Sequence, residues 1–94
     1  MADGLVFDWD ESNIEHIARH SVTPEDVEQV FSNDPLDIDA EVLDGEVRYV
    51  AVGHTNRLRV LFIAWAMRAS AIRPVTAFDA SKRLAKRYLT ERGY

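Results

Sequence analysis

The longest stretch without a polar side chain, Val60–Met67, constrains the fold of this chain more than any other feature. A strand with one wet face alternates apolar and polar residues, whereas a strand covered on both faces carries a continuous apolar run. The run is far shorter than the roughly 20 residues that a membrane-spanning helix needs. We therefore predict that Arg59–Met67 is the central strand of a small sheet, with helices or a long loop over both faces.

The part of the chain before residue 36 contains two helix starts. Thr23-Pro24-Glu25-Asp26 combines a capping threonine, a proline at the first helical position and the acid of a capping box. Asp10 or Ser12 can cap an earlier helix, and the segment before that helix alternates apolar and polar residues as a strand does. The predicted elements are a short edge strand at Leu5–Trp9, a helix from Asp10 or Ser12 to about His20, and a helix that starts after Thr23 and stops at Asn33-Asp34-Pro35.

After Pro35 the period of the apolar residues changes from helical to two residues, although Leu36–Leu43 alternates poorly, and this change indicates strands. The predicted elements are strands at Leu36–Leu43, Val47–His54 and Ala71–Phe78 around the central strand, a hairpin turn at Asp44-Gly45, and a last helix from a cap at Asp79 or Ser81 to about Arg92. Pro74 cannot donate to a ladder, so its strand is expected at an edge or with a bulge. The fold class is α+β: an antiparallel sheet of about four strands with two N-terminal helices and a C-terminal helix, in a single domain spanning residues 1–94.

The formal net charge of −5 conceals two halves of opposite sign. Residues 1–47 carry a balance of −13, and residues 48–94 carry +8. This split predicts one acidic and one basic surface, unless the two halves neutralise each other across the fold. Arginines and lysines of the second half, including Lys82 and Arg83, are interspersed with aromatic residues, a combination that suits single-stranded nucleic acid. The alternative is that the aromatic residues are core and the basic residues form a solvated helix face.

Several other classes of function are not favoured by the sequence. There is no cysteine for a disulfide, a zinc ribbon or a thiol nucleophile, and no glycine-rich phosphate loop. His16 and His20 have the spacing of a metal pair but lack a third ligand, so we expect neither a metal nor another cofactor. The first four residues show no secretory signal, and we expect a cytoplasmic protein without membrane contact.

A set of short motifs spread over residues 5–90 resembles one known family. The motifs are Phe7-Asp8-Trp9-Asp10-Glu11, Ile17-Ala18-Arg19-His20-Ser21-Val22-Thr23-Pro24-Glu25, Asp34-Pro35, Arg48-Tyr49, Gly53 and Ile72-Arg73-Pro74-Val75-Thr76-Ala77. They resemble the BrnT family, bacterial toxins of type II toxin–antitoxin systems with a RelE-like ribonuclease fold.

This resemblance implies a metal-independent endoribonuclease that cleaves RNA. It also implies a partner, a small antitoxin with a ribbon-helix-helix DNA-binding part, that neutralises the toxin and assembles with it into a higher-order complex. The catalytic candidates are His20, Arg48 and Arg73, and the RNA-binding candidates are Trp9, Arg19, Lys82, Arg83 and Tyr88.

The chain departs from the family pattern at two points. The family usually has Lys-His-Gly where this chain has Arg19-His20-Ser21, and it often has an arginine where this chain has Phe78. Loss of that cation leaves an alternative function open. The chain would then be a catalytically weak or inactive relative that acts as a protein-binding module with an antitoxin-like partner.

Overall fold

A computed structural model describes residues 4–94 of the chain, so the first three residues, which entered the expectation of no secretory signal, lie outside the described part. Its elements are α1 (Glu11–Ala18), α2 (Pro24–Ser32), β1 (Leu36–Leu43), β2 (Glu46–His54), β3 (Val60–Arg68), β4 (Ala71–Asp79) and α3 (Lys82–Glu91). The strands form one antiparallel sheet in the order β1-β2-β3-β4. This confirms the predicted α+β class. None of the described helices has the length and apolar character needed to cross a membrane.

The helix starts follow the predicted capping chemistry. The Thr23 hydroxyl accepts a hydrogen bond from the backbone N–H of Asp26, whose carboxylate accepts one from the N–H of Thr23. Asp10 caps α1, and Ser81 caps α3. The first helix is shorter than predicted, because it ends at Ala18 and residues 19–21 form a turn. His20 therefore lies outside the helix.

Strand β3 lies between β2 and β4, as the apolar run predicts. Leu61 and Ile63 are fully buried on one face, which we call the helix face because their core cluster includes residues of α1 and α2. On the opposite face, called the open face, Phe62 stacks on Phe78 of β4 with ring centroids 4.7 Å apart, and both are partly exposed. The second face of β3 is thus covered less completely than predicted.

Helix α3 covers only one side of the open face. Its main contacts with the sheet are to β2, where the buried Tyr88 ring lies 6.1 Å from that of His54. The Arg92 guanidinium that follows the helix donates to the backbone oxygen of Pro35, 2.7 Å away. The part of the open face near β3 and β4 remains accessible.

The outer edge of β4 is occupied by the N-terminal segment. Phe7 forms a single parallel bridge with Ile72, where the sequence predicted a strand over Leu5–Trp9. The side-chain amide of Asn13 donates to the backbone oxygens of Asp8 and Pro74 at 2.9 and 3.0 Å. A register shift opposite Pro74 marks a bulge, and both predictions for this proline, an edge strand and a bulge, are confirmed.

Candidate functional site

A cleft of about 260 Å³ opens between α1 and the ends of β2, β3 and β4. Three arginines from three different strands line it: Arg48, Arg68 and Arg73. The imidazole of His16, from α1, lines it as well. The cleft therefore brings together three guanidinium groups and one titratable ring.

Strand register explains why two of these arginines meet. Arg73 of β4 pairs with Ala66 of β3. On the other side of β3, Tyr49 of β2 pairs with Trp65, so the preceding residue of β2, Arg48, lies beside Ala66. Side chains of directly paired residues lie on the same face of a sheet. Ala66 therefore separates the two arginines with a methyl group only, which leaves space between their side chains above the sheet.

Acidic groups already occupy two of the three guanidinium groups. Arg73 Nη1 lies 3.0 Å from a carboxylate oxygen of Asp10 and 3.4 Å from one of Asp8, and the Arg73 side chain is only 14% exposed. Arg48 Nε lies 3.0 Å from Glu46. Arg68 forms no ion pair with any residue in 4–94. An incoming phosphate would meet Arg68 free, whereas Nη1 of Arg73 and Nε of Arg48 already face carboxylates.

The Asp10–Arg73 contact changes the protonation of both groups. The close approach of Arg73, with a backbone hydrogen bond from Asn13, lowers the pKa of Asp10 below its ordinary value of 3.8. The same contact raises the pKa of Arg73. Asp10 is therefore ionised at any pH near neutrality and holds the Arg73 guanidinium in place.

Acidification is expected to remove the stabilisation that this pair provides. The carboxylate's contribution to the free energy of unfolding is complete above pH 3.8 and is lost as the pH falls through the lower folded-state pKa. Urea unfolding between about pH 5 and about pH 2.5 measures this loss. In Asp10→Asn, which keeps a side-chain oxygen for the helix cap, the dependence on pH in that range should be weaker. Equal slopes in the two proteins would contradict this assignment.

The second histidine faces a neighbouring pocket rather than the cleft. The His20 ring lies 6.3 Å from that of His16 and 5.6 Å from that of Phe78, and with Arg19 it lines this pocket. The Arg59 guanidinium fixes the turn by donating to the backbone oxygens of Ser21 and His20 at 2.6 and 2.9 Å. The His20 ring therefore lies next to that of His16 and outside the cleft that Arg48 and Arg73 line.

The remaining RNA-binding candidates lie in different environments. Tyr88 is fully buried, so its ring is not available to stack on a base. Trp9 packs against the core and donates from Nε1 to Glu28 at 2.9 Å. Arg19 is exposed and lies 3.5 Å from Glu15. Lys82 and Arg83 are exposed at the start of α3.

Two residues of the cleft were not singled out as catalytic or RNA-binding candidates from the sequence. The sequence indicates His16 only as half of a metal pair, and it does not distinguish Arg68 from the other arginines of the second half. The signal for His16 was its position three residues after Asn13 on one side of α1. Arg68 carried no signal of its own, because only strand pairing brings it to the cleft.

A cleft lined by guanidinium groups and an imidazole is suited to bind and cleave a phosphodiester. Comparison with protein families agrees with this class: residues 9–83 match the family described as "Ribonuclease toxin, BrnT, of type II toxin-antitoxin system". The chain belongs to the BrnT family, which confirms the resemblance seen in its motifs. None of the curated proteins matches it. The family implies an RNA substrate and an antitoxin partner.

Proposed function

We propose that this chain is a metal-independent endoribonuclease, the toxin of a type II toxin–antitoxin pair, which cleaves RNA in the cleft between α1 and the sheet. The observation that carries this proposal is the convergence of Arg48, Arg68, Arg73 and His16 on one cleft in a member of a ribonuclease family. The cytoplasm is the proposed place of action, and a small ribbon-helix-helix antitoxin, which assembles with the toxin into a higher-order complex, is the proposed inhibitor.

The chemistry requires little from the protein because RNA carries its own nucleophile. The 2′-oxygen attacks the adjacent phosphorus and loses its proton to a base, while the bond from phosphorus to the 5′-oxygen breaks and that oxygen gains a proton. The products are a 2′,3′-cyclic phosphate and a free 5′-hydroxyl. Guanidinium groups stabilise the charge that develops on the non-bridging oxygens. Arg68 is the free cation for this task, with Arg48 and Arg73 beside it.

Histidine is the side chain used most often to transfer a proton in catalysis. His16 lines the cleft directly, whereas His20 lies in the next pocket with its ring 6.3 Å from that of His16. We therefore assign the proton transfer to His16 and give His20, with Arg19, the role of contacting RNA outside the cleft.

Substitution of each histidine tests this assignment. In EDTA, the purified protein should cut single-stranded RNA, and His16→Ala should lower the single-turnover rate by about 10²-fold or more, the usual range for a positioned acid or base. His20→Ala is the matched control: it removes the same ring from the neighbouring pocket and should mainly weaken RNA binding. If His20→Ala loses the cleavage rate and His16→Ala keeps it, the roles are reversed. Wild-type protein that cuts only after a divalent cation is added would remove the metal-independent mechanism.

A second function is favoured by the charge state of the cleft. Carboxylates already pair with Arg48 and Arg73, and Phe78 stands where the family often has an arginine. In this alternative the chain is a weak or inactive relative that binds an antitoxin-like protein without cutting RNA. Expression in bacteria separates the two, since a ribonuclease arrests growth until the product of the adjacent reading frame is supplied, whereas a binding module does not arrest growth.

A further inference from the structure

The β1–β2 hairpin exposes an apolar strip on the helix face of the sheet, away from the cleft. Tyr49 of β2 stacks on Trp65, and Trp65 packs against Phe31 of α2. Tyr49 and the residues on the same side of the hairpin therefore belong to the helix face. Val42 and Val47, a directly paired couple on that same face, are 68% and 40% exposed. We call Ala40, Val42, Val47, Tyr49 and Asp37 together the hairpin surface.

One end of the hairpin surface is a pocket of about 390 Å³ that combines aromatic rings with carboxylates. The Tyr49 and Trp65 rings form one wall with centroids 4.6 Å apart. Ala40 pairs directly with Tyr49 and is too small to cover its ring. Asp37 also lines the pocket and forms no ion pair with any residue in 4–94. An aromatic face beside free carboxylates attracts a guanidinium or ammonium group.

We propose that the hairpin surface is the docking site for a segment of the antitoxin. The segment would place apolar side chains on Val42 and Val47 and an arginine or lysine on Tyr49 and Asp37. That the partner is an antitoxin rests on the proposed function, whereas the apolar and basic character of the docking segment follows from the residues of the hairpin surface. The pocket at one end of this surface is lined by two carboxylates, those of Asp37 and Asp39, and no arginine or lysine of residues 4–94 lines it. A basic segment with exposed apolar side chains is complementary to such a surface.

The hairpin surface is separate from the cleft although the two share strand β2. Arg48 and Tyr49 are neighbours in the chain, so their side chains point to opposite faces of the sheet. A partner on the hairpin surface contacts Tyr49 without contacting Arg48. Docking and RNA cleavage by the free protein can therefore be changed independently.

A pair of double variants tests this proposal. Asp37→Asn with Val42→Ser removes one charge and one exposed apolar side chain from the hairpin surface. Glu25→Gln with Leu58→Ser removes the same two properties elsewhere, because Glu25 is exposed and Leu58 is 74% exposed. The probe is the protein encoded by the adjacent reading frame, titrated into each toxin variant by calorimetry. The hairpin variant should bind at least tenfold more weakly than the control variant, and all proteins should cleave RNA equally.

Each other outcome contradicts a defined part of the proposal. Equal binding by the two double variants, or equal loss in both, overturns the docking site. So does a dimer of the wild-type chain that the hairpin variant dissociates, since the occupant would then be a second copy. Wild-type protein that binds nothing but cleaves RNA overturns the docking site and leaves the ribonuclease standing. Binding that depends on the hairpin surface, with no RNA cleavage by any variant, retains the docking site and removes the ribonuclease.

Discussion

Arg73→Ala is expected to lower the rate of RNA cleavage by about 10²–10³-fold, the usual cost of removing one donor that stabilises transition-state charge. The side chain lines the cleft and is held by Asp8 and Asp10 at 3.4 and 3.0 Å, so it is fixed before RNA arrives. A donor that needs no reorganisation at the moment of reaction contributes most to the rate. Single-turnover cleavage of a short single-stranded RNA measures the effect.

Two controls separate catalysis from folding in this prediction. Arg87→Ala removes an arginine that is also paired, 3.1 Å from Glu91, but lies on α3 outside the cleft, and it should leave the rate unchanged. Arg73→Lys keeps the charge without the planar fork and should recover part of the rate. Thermal unfolding identifies any variant that has lost its fold. A folded Arg73→Ala protein with the wild-type rate would remove Arg73 from the catalytic group.

Gly53→Ala is expected to lower the free energy of unfolding by about 1–3 kcal/mol, the usual cost of overpacking a core. A Cβ at this position would lie 2.8 Å from Val30 Cγ1 and 3.1 and 3.2 Å from Pro35 Cβ and Cα. Val30 is fully buried and stiff at χ1, and the proline atoms belong to a ring and the backbone, so none of them yields easily. The midpoint of thermal unfolding should fall by roughly 4–8 °C per kcal/mol for a chain of this size.

A double-mutant cycle with Val30→Ala tests the cause. Val30→Ala alone leaves a cavity and destabilises the protein, but it also removes the nearest obstacle to the new methyl group. The destabilisation of the double variant should therefore be smaller than the sum of the two single effects. Additive effects would show that the Val30 contact is not responsible.

Local elements of this fold could be predicted closely because their signals lie within a few residues. The capping box at Thr23 and Asp26 and the bounds of β1 are as predicted, since caps, prolines and tight turns act over short distances. Helix α1 shows the opposite case. The sequence predicted that it runs to about His20, but the helix ends at Ala18, and its residue Asn13 is buried and bonded to two backbone oxygens.

The candidate site could be predicted only in part because its members meet through strand pairing. Arg48 and Arg73 were chosen on the resemblance, and nothing local in the sequence indicates that Ala66 lies between them. Arg68 joins them through strand pairing, and His16 joins them because α1 packs beside β4. Tyr88 is a different case, since the resemblance suggested RNA contact, whereas the alternative was that the aromatic residues of the second half belong to the core. The structure agrees with the alternative for this residue, because Tyr88 is fully buried.

The two edge strands of the sheet, β1 and β4, differ in how far their outer backbone groups are hydrogen-bonded. On β4, Asp8 and Val6 exchange backbone hydrogen bonds with Ile72 at 2.8 Å each, and Pro74 has no N–H to offer, so the part of this edge near Ile72 and Pro74 is closed to a further strand. On β1, the row of backbone groups facing away from β2 is unpaired by any strand of residues 4–94. An added strand would therefore find a longer unpaired edge on β1 than beside Ile72 and Pro74 of β4. Two chains that joined β1 to β1 about a twofold axis would pair this row of backbone groups in both chains and leave only their β4 edges outside.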